Sequence, residues 1–255
     1  MYGKIAALLL VLVLSGCGAA PKNLISSPAA HPQFQRTART LIGYQKLVCQ
    51  DCKPNDWKIG IMRSDKINAA SGGGGFFYVT EGALQLPDDE LDAMIAHEVA
   101  HEIAGHNAKR QLASVAVTGV FMVLGAFVPG AGYLNHLANP LVTRAYSREN
   151  ELEADSIAAA LMEKRHGSIG RARNLMTFLE GRSAARKAKG EEGTGLFDTH
   201  PHPEERIVQL RKIIGGSQKA AAIPSYSRAE TQQAGQEAAD QPKNTSDCPL
   251  YQKCN

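Results

Sequence analysis

The sequence has no dominant charge and no basic arm. Its 28 lysines and arginines against 25 aspartates and glutamates leave a formal net charge of +3, which excludes the electrostatic footprint of a nucleic-acid-binding chain. Cysteines are few, five in 255 residues, and the CQDC at 49–52 lacks the strand-to-helix setting of a redox motif. The opening apolar run, Ile5 to Leu14, is too short to cross a bilayer core of about 30 Å as a helix. These absences argue against nucleic acid as a partner, a thiol redox centre and a plain N-terminal membrane span. Hydrophobic residues are 44% of the chain, enough for a real core in one large domain or two small ones.

The N-terminus carries an address. Lys4 supplies the positive end, Ile5 to Leu14 the apolar run, and Leu14-Ser15-Gly16-Cys17 closes it. This ending resembles the lipobox of bacterial lipoproteins, which implies lipid on the Cys17 sulfur and loss of residues 1–16 as a signal peptide. Several acyl chains give stable anchoring where one chain binds only marginally. Gly18, rather than aspartate, after the cysteine resembles the pattern sorted to an outer membrane, so the expected location is an outer-membrane lipoprotein facing the periplasm. Residues 17–33 are small, polar and proline-containing and read as a lipidated tether. An exported chain meets an oxidising compartment, which makes Cys49, Cys52, Cys248 and Cys254 disulfide candidates with three pairings open. A bridge from the early pair to the tail would pin down a loose end.

The ten residues His97 to His106, HEVAHEIAGH, carry the chemistry. At about 100° per residue His97 and His101 lie one turn apart on one helix face, so both imidazoles can reach one zinc ion. Glu98 points beside that pair and is placed to accept a proton from water. The preceding Pro87-Asp88-Asp89-Glu90 reads as a helix start, with acidic residues where the macrodipole favours them. Leu91, Met94, Ile95, Val99 and Ile103 spread apolar groups over a wide arc, which predicts a mostly buried helix.

A third ligand comes from the helix expected over 147–164. With Glu151 set at 0°, Asp155 falls at about 40° and Met162 at about 20°, on the apolar face, while Glu149, Glu153 and Glu163 lie opposite. Two carboxylates within a buried stripe need a positive partner, which a zinc ion with its histidines provides. Glu151 is the expected third ligand, and Asp155 suits the second N–H of a ligand histidine.

The remaining chain frames these helices. Phe34 to Val48 reads as a first helix and Trp57 to Met62 as a short strand. Phe76 to Thr80 has strong strand propensity after Gly72 to Gly75, and Gly75, Phe76, Phe77, Tyr78 and Val79 are the expected free edge for an extended substrate. Residues 111–143 carry no formal charge and read either as a buried helix and loop over the site or as a membrane-facing hairpin. Arg171 to Lys189 reads as a basic helix with a solvated face, and Glu204 to Ile214 as the last helix. His200 and His202, flanked by prolines in THPHPEERI, are stiffly held, so at least one can lie near the metal. Residues 215–255 read as a mostly disordered tail with two cysteines.

HExxH at 97–101, ExEAD at 151–155 and THPxPxxR at 199–206, in that order, resemble the gluzincin metallopeptidases that include the CAAX prenyl proteases, HtpX proteases and periplasmic lipoproteins of the BepA and LoiP kind. The resemblance runs from about Asn68 to Arg206. It implies an α+β, predominantly helical zincin-type domain over 34–214, with a small β-sheet beside the HExxH helix. It implies one Zn2+ per chain on His97, His101 and Glu151, Glu98 as general base, Asp155 behind the ligands and Arg206 as the family's arginine. His200-Pro201 matches the family's histidine-proline element, where His200 either stabilises the oxyanion or fills the open zinc position; His202 has no match. Four glycines stand where the family commonly has bulkier residues. The metzincin pattern HExxHxxGxxH fails at Ala104 and Asn107, leaving His106 as a structural residue near the helix end. The address and the resemblance together imply a membrane-anchored zinc endopeptidase acting on unfolded or misassembled envelope proteins. Expected partners are those substrates, the membrane through the N-terminal lipid, and outer-membrane assembly machinery. The rival from another class is a non-catalytic chaperone or assembly factor for outer-membrane proteins.

Overall fold

The computed structural model describes residues 23–110, 145–189 and 196–230. Its elements run α1 (Phe34–Val48), β1 (Lys58–Met62), β2 (Ala69–Gly73), β3 (Phe76–Thr80), α2 (Asp88–Ile103), α3 (Arg148–His166), α4 (Ala172–Lys189), a helical turn (Leu196–Thr199) and α5 (Pro203–Ile214). The result is a predominantly helical α+β fold with one three-stranded sheet. The uncharged 111–143 segment lies outside the described residues. No helix among those residues is long and apolar enough to cross a membrane.

Two helices form the centre. In α2 every residue from Ala93 to Ile103 is buried, as the wide apolar arc predicts. Asp88, Asp89 and Glu90 occupy its first turn, where their charges meet the positive end of the helix dipole. Helix α3 packs beside it. Ser147 caps α3 by accepting from the Asn150 N–H, and Gly167 ends it at φ 74°, a left-handed turn that suits glycine. Fully buried alanines on both helices, Ala93, Ala96 and Ala100 facing the interior with Ala154, Ala158 and Ala159, allow close approach of the backbones.

The sheet order is β1-β3-β2, with β1 parallel and β2 antiparallel to β3. FFYVT makes β3 the central strand because its aromatic and β-branched side chains pack on both neighbours, with Phe77 and Val79 turned into the core. This corrects one expectation: β3 offers no free edge at Phe76 to Val79, since both its sides are paired. The outer strand beside the zinc helix is β2, Ala69–Gly73, whose Ala-Ala-Ser-Gly-Gly composition carries little strand signal. A tight turn makes it a strand. Gly73, Gly74 and Gly75 all have positive φ, at 85°, 62° and 76°, which closes the β2–β3 hairpin as other residues rarely can.

A second correction concerns the tail. Residues 217–230 are not loose. Ala221 N–H donates to the Ser156 hydroxyl at 2.8 Å and Tyr226 N–H to the Val48 carbonyl at 3.3 Å. The Tyr226 ring meets Trp57 edge-on at 5.5 Å, and Arg228 N–H donates to Asp51. The expectation failed because polar composition alone does not show that Ile223 and Tyr226 have a core to pack on. Cys49 and Cys52 are bridged to each other, so neither ties the tail; Cys248 and Cys254 lie outside the described residues, as does Cys17.

Candidate metal centre

Helix α2 delivers His97 and His101 to one point, α3 delivers Glu151, and the turn after Leu196–Thr199 delivers His200. All four are buried, and one ligand atom from each lies within 4.8 Å of the others. His97 Nε2 is 3.0 Å from His101 Nε2 and 3.3 Å from His200 Nδ1. Glu151 Oε1 is 3.3 Å from His101 Nε2 and 3.1 Å from His200 Nδ1. A tetrahedral zinc with ligands at about 2.0–2.1 Å separates its donor atoms by about 3.3 Å, so nitrogen and carboxylate donors at these spacings fit zinc. One buried oxygen beside the cluster supports the fit: Glu98 Oε1 has no hydrogen-bond partner, a costly arrangement unless something else meets it. Arg206 approaches Glu151 Oε2 to 2.8 Å, but without hydrogen-bond geometry, so the contact is an ion pair only.

Behind the ligands the arrangement fixes ring orientation. Asp155 Oδ1 is 2.9 Å from His97 Nδ1, placed to accept from that ring nitrogen. Arg206 is buried and grips Asp155 with both oxygens occupied, Nε to Oδ2 at 2.7 Å and Nη2 to Oδ1 at 2.9 Å. The same guanidinium donates to the His200 carbonyl at 3.3 Å. One arginine therefore orders both the His97 support and the His200 loop.

The electrostatics follow from burial and these partners. Burial raises the Glu151 carboxyl, but the Arg206 charge and the neighbouring imidazoles outweigh it and hold the group well below the usual carboxylate range. Asp155 is likewise lowered, burial being overcome by Arg206 and by the bond to His97. For His97, burial and Arg206 both lower the pKa, yet the hydrogen bonds to Asp155 and Glu151 win and lift it to about 9. His101 moves the other way, pushed well below its ordinary value by burial and by the nearby His97.

Further neighbours surround the cluster: Tyr146 and Ser71 were not singled out in the sequence, and His106 was expected only as a structural residue near the helix end. Gly105, at φ 65°, turns the chain so that His106 Nδ1 meets His101 Nδ1 at 2.8 Å, and His106 Nε2 lies 3.2 Å from Glu153. His106 thus supports the second ligand rather than serving only the helix end. Tyr146 stacks on His101 with ring centroids 3.7 Å apart. Ser71 N–H on β2 donates to Glu98 Oε2 at 2.7 Å. Among the sequence candidates, His202 stays out of the site: it is exposed at φ 59° at the start of α5. Phe76 to Val79 stand one strand away from the zinc helix, with β2 between.

The sequence is similar to those of known proteins. The chain is 28% identical over 196 residues to the mitochondrial metalloendopeptidase OMA1 of Schizosaccharomyces pombe, covering 75% of this chain and 56% of that protein. It is 29% identical over 168 residues to the metalloprotease LoiP of Escherichia coli, covering 62% of each. It is 31% identical over 209 residues to a protease HtpX homolog of Paracidovorax citrulli, covering 68% of this chain and 67% of the other. The chain thus spans between 56% and 67% of the length of these relatives. The model of peptidase family M48 matches residues 28–214, a stretch that holds both central helices, the sheet and every side chain of the cluster, and the chain belongs to that family.

Proposed function

We propose that the chain is a zinc-dependent endopeptidase of the bacterial cell envelope, anchored by lipid on Cys17, that hydrolyses unfolded or misassembled envelope proteins. The observation that carries the chemistry is the convergence of His97, His101, Glu151 and His200 with Glu98 directly beside them. Zinc, when bound, supplies Lewis-acid chemistry, polarising a peptide carbonyl and making water more acidic.

The protein's own groups do the rest. Glu98 is held through Oε2 by the Ser71 N–H, while Oε1 keeps a free acceptor position 3.3 Å from His200 Nε2. That oxygen takes a proton from the attacking water and passes it to the leaving amine. His97, His101 and Glu151 would hold the ion, and His200 would either complete that donor set or stabilise the oxyanion. The strand that receives an extended substrate is β2 in place of β3. Its outward groups already face the site: Ser71 N–H meets Glu98, and the Ala69 carbonyl lies 3.4 Å from His200 Nε2. A lipid anchor and an envelope location rest on the Leu14-Ser15-Gly16-Cys17 ending.

The test compares purified wild-type protein with Glu98→Gln on an unfolded protein substrate, with and without chelator. Wild type should cleave in a chelator-sensitive way, and Glu98→Gln should bind the same zinc yet lose activity by several powers of ten, about 10³ or more. Equal cleavage by both forms would remove Glu98 from the mechanism. No cleavage by wild type, with prevention of substrate aggregation in both forms, would favour the chaperone reading.

A further inference from the structure

Glu102 lies one helical turn beyond Glu98 on α2 and is almost fully buried. Two carboxylates four residues apart on a helix repel each other, so burying the second needs specific donors. The β2–β3 hairpin and the C-terminal strap supply three. Glu102 Oε2 accepts the Ser71 hydroxyl at 2.5 Å, and Oε1 accepts the Gly75 N–H and the Tyr226 hydroxyl, each at 2.7 Å. The Ser71 hydroxyl also accepts from Asn107 Nδ2 at 2.7 Å, and Asn107 Oδ1 accepts from Tyr146, the ring stacked on His101.

Ser71 is therefore gripped twice by the same helix: its hydroxyl by Glu102 and its backbone N–H by Glu98. The strand carries a register shift between Ser71 and Gly73, and three positive-φ glycines follow, so the local ladder alone holds this residue weakly. We infer that Glu102 is a positioning residue for Glu98: by fixing the Ser71 hydroxyl and the Gly75 N–H it sets the place of the Ser71 N–H, which turns Oε1 of Glu98 toward the donor cluster. Because Glu102 lies outside the donor cluster, its effect travels through Ser71. Tyr226, in the strap beyond the matched family residues, supports the same carboxylate from outside.

The inference rests on the peptidase reading for its kinetic consequence and on backbone contacts for its physical one, so both are measured. Ser71→Ala removes only a hydroxyl, and Glu102→Gln keeps the side-chain shape; zinc stoichiometry and melting temperature show that each variant is folded and loaded. Amide-exchange protection at Ser71 and Gly75, in metal-free and zinc-loaded protein, should fall by about tenfold or more in Glu102→Gln and at Ser71 in Ser71→Ala, with α3 amides unchanged. With an unfolded substrate, kcat should fall roughly 10- to 100-fold in both variants while KM stays within about threefold, the pattern of a misplaced catalytic group. Wild-type protection at Ser71 in both variants overturns the inference whatever the activity. So does wild-type kcat with protection lost, since the hydroxyl would then serve the fold alone. Absence of metal-dependent hydrolysis in wild type instead defeats the peptidase reading, and the protection measurements still decide the contact.

Discussion

At the scale of single residues the site is a competition between protons and a metal for the same nitrogens. In the metal-free protein His97 carries a proton at neutral pH, because its pKa is lifted to about 9 by Asp155 and Glu151, while burial keeps His101 neutral. Zinc must displace that proton. From this group alone, zinc affinity should rise by about tenfold per pH unit below about 9 and flatten above, and near pH 7 each zinc bound should release about one proton. Calorimetry in buffers of different ionisation enthalpy measures the release; a value near zero would show that Asp155 does not hold His97 charged. The sign for stability is the reverse. A folded pKa above the unfolded one stabilises the metal-free protein below pH of about 6.5, and this contribution is lost as pH rises through about 9. Glu151 and Asp155 were legible in the sequence because two acids on an apolar helix face demand an explanation. Glu102 was not. Its partners are backbone N–H groups and hydroxyls drawn from the β2–β3 hairpin and the strap, and no periodicity in α2 marks a residue whose burial is compensated from other segments.

At the scale of elements the helices were legible and the sheet only in part. Phe34–Val48 forms a helix at the expected boundaries, α2 begins within the expected Pro87-Asp88-Asp89-Glu90 start, and α3 lies within two residues of its expected span, because apolar spacing and capping residues act locally. Strand β2 escaped because its strand state is imposed from outside, by a glycine turn on one side and by carboxylates of α2 on the other. That account makes the turn testable. Gly74 sits at φ 62° between two further positive-φ glycines. Gly74→Ala places a Cβ in the left-handed region and should cost about 1–2 kcal/mol in denaturant unfolding with an unchanged m-value. The β2 amides from Ala69 to Ser71 should lose exchange protection first. A neutral effect would mean that the turn is not what sets β2 against α2.

At the scale of the whole molecule, the family match ends at residue 214, yet the chain continues to contribute to the fold. Residues 217–230 cross from α5 to α1: Ala221 docks on Ser156 of α3, Tyr226 on Val48 and Trp57, and Arg228 on the loop closed by the Cys49–Cys52 bridge. Partial burial of Ile223 and Tyr226 is worth about 1–2 kcal/mol each on area grounds, and the Tyr226–Glu102 bond adds about 1 kcal/mol or more because its acceptor is a buried carboxylate. A chain ending at residue 216 should therefore melt roughly 6–20 °C below one ending at residue 230, at about 2–4 °C per kcal/mol for a domain of this size. Both truncations keep every residue of the donor cluster, so both should bind one zinc. The comparison separates a structural strap from a passenger tail: equal melting temperatures would show that residues 217–230 rest on the surface without holding it. If the strap does hold, cutting it also removes one of three donors from Glu102, the carboxylate that holds the hairpin at Ser71 and Gly75. Exchange at Gly75, whose N–H shares Oε1 with Tyr226, should then rise before exchange at Ser71, whose hydroxyl is held by the other oxygen.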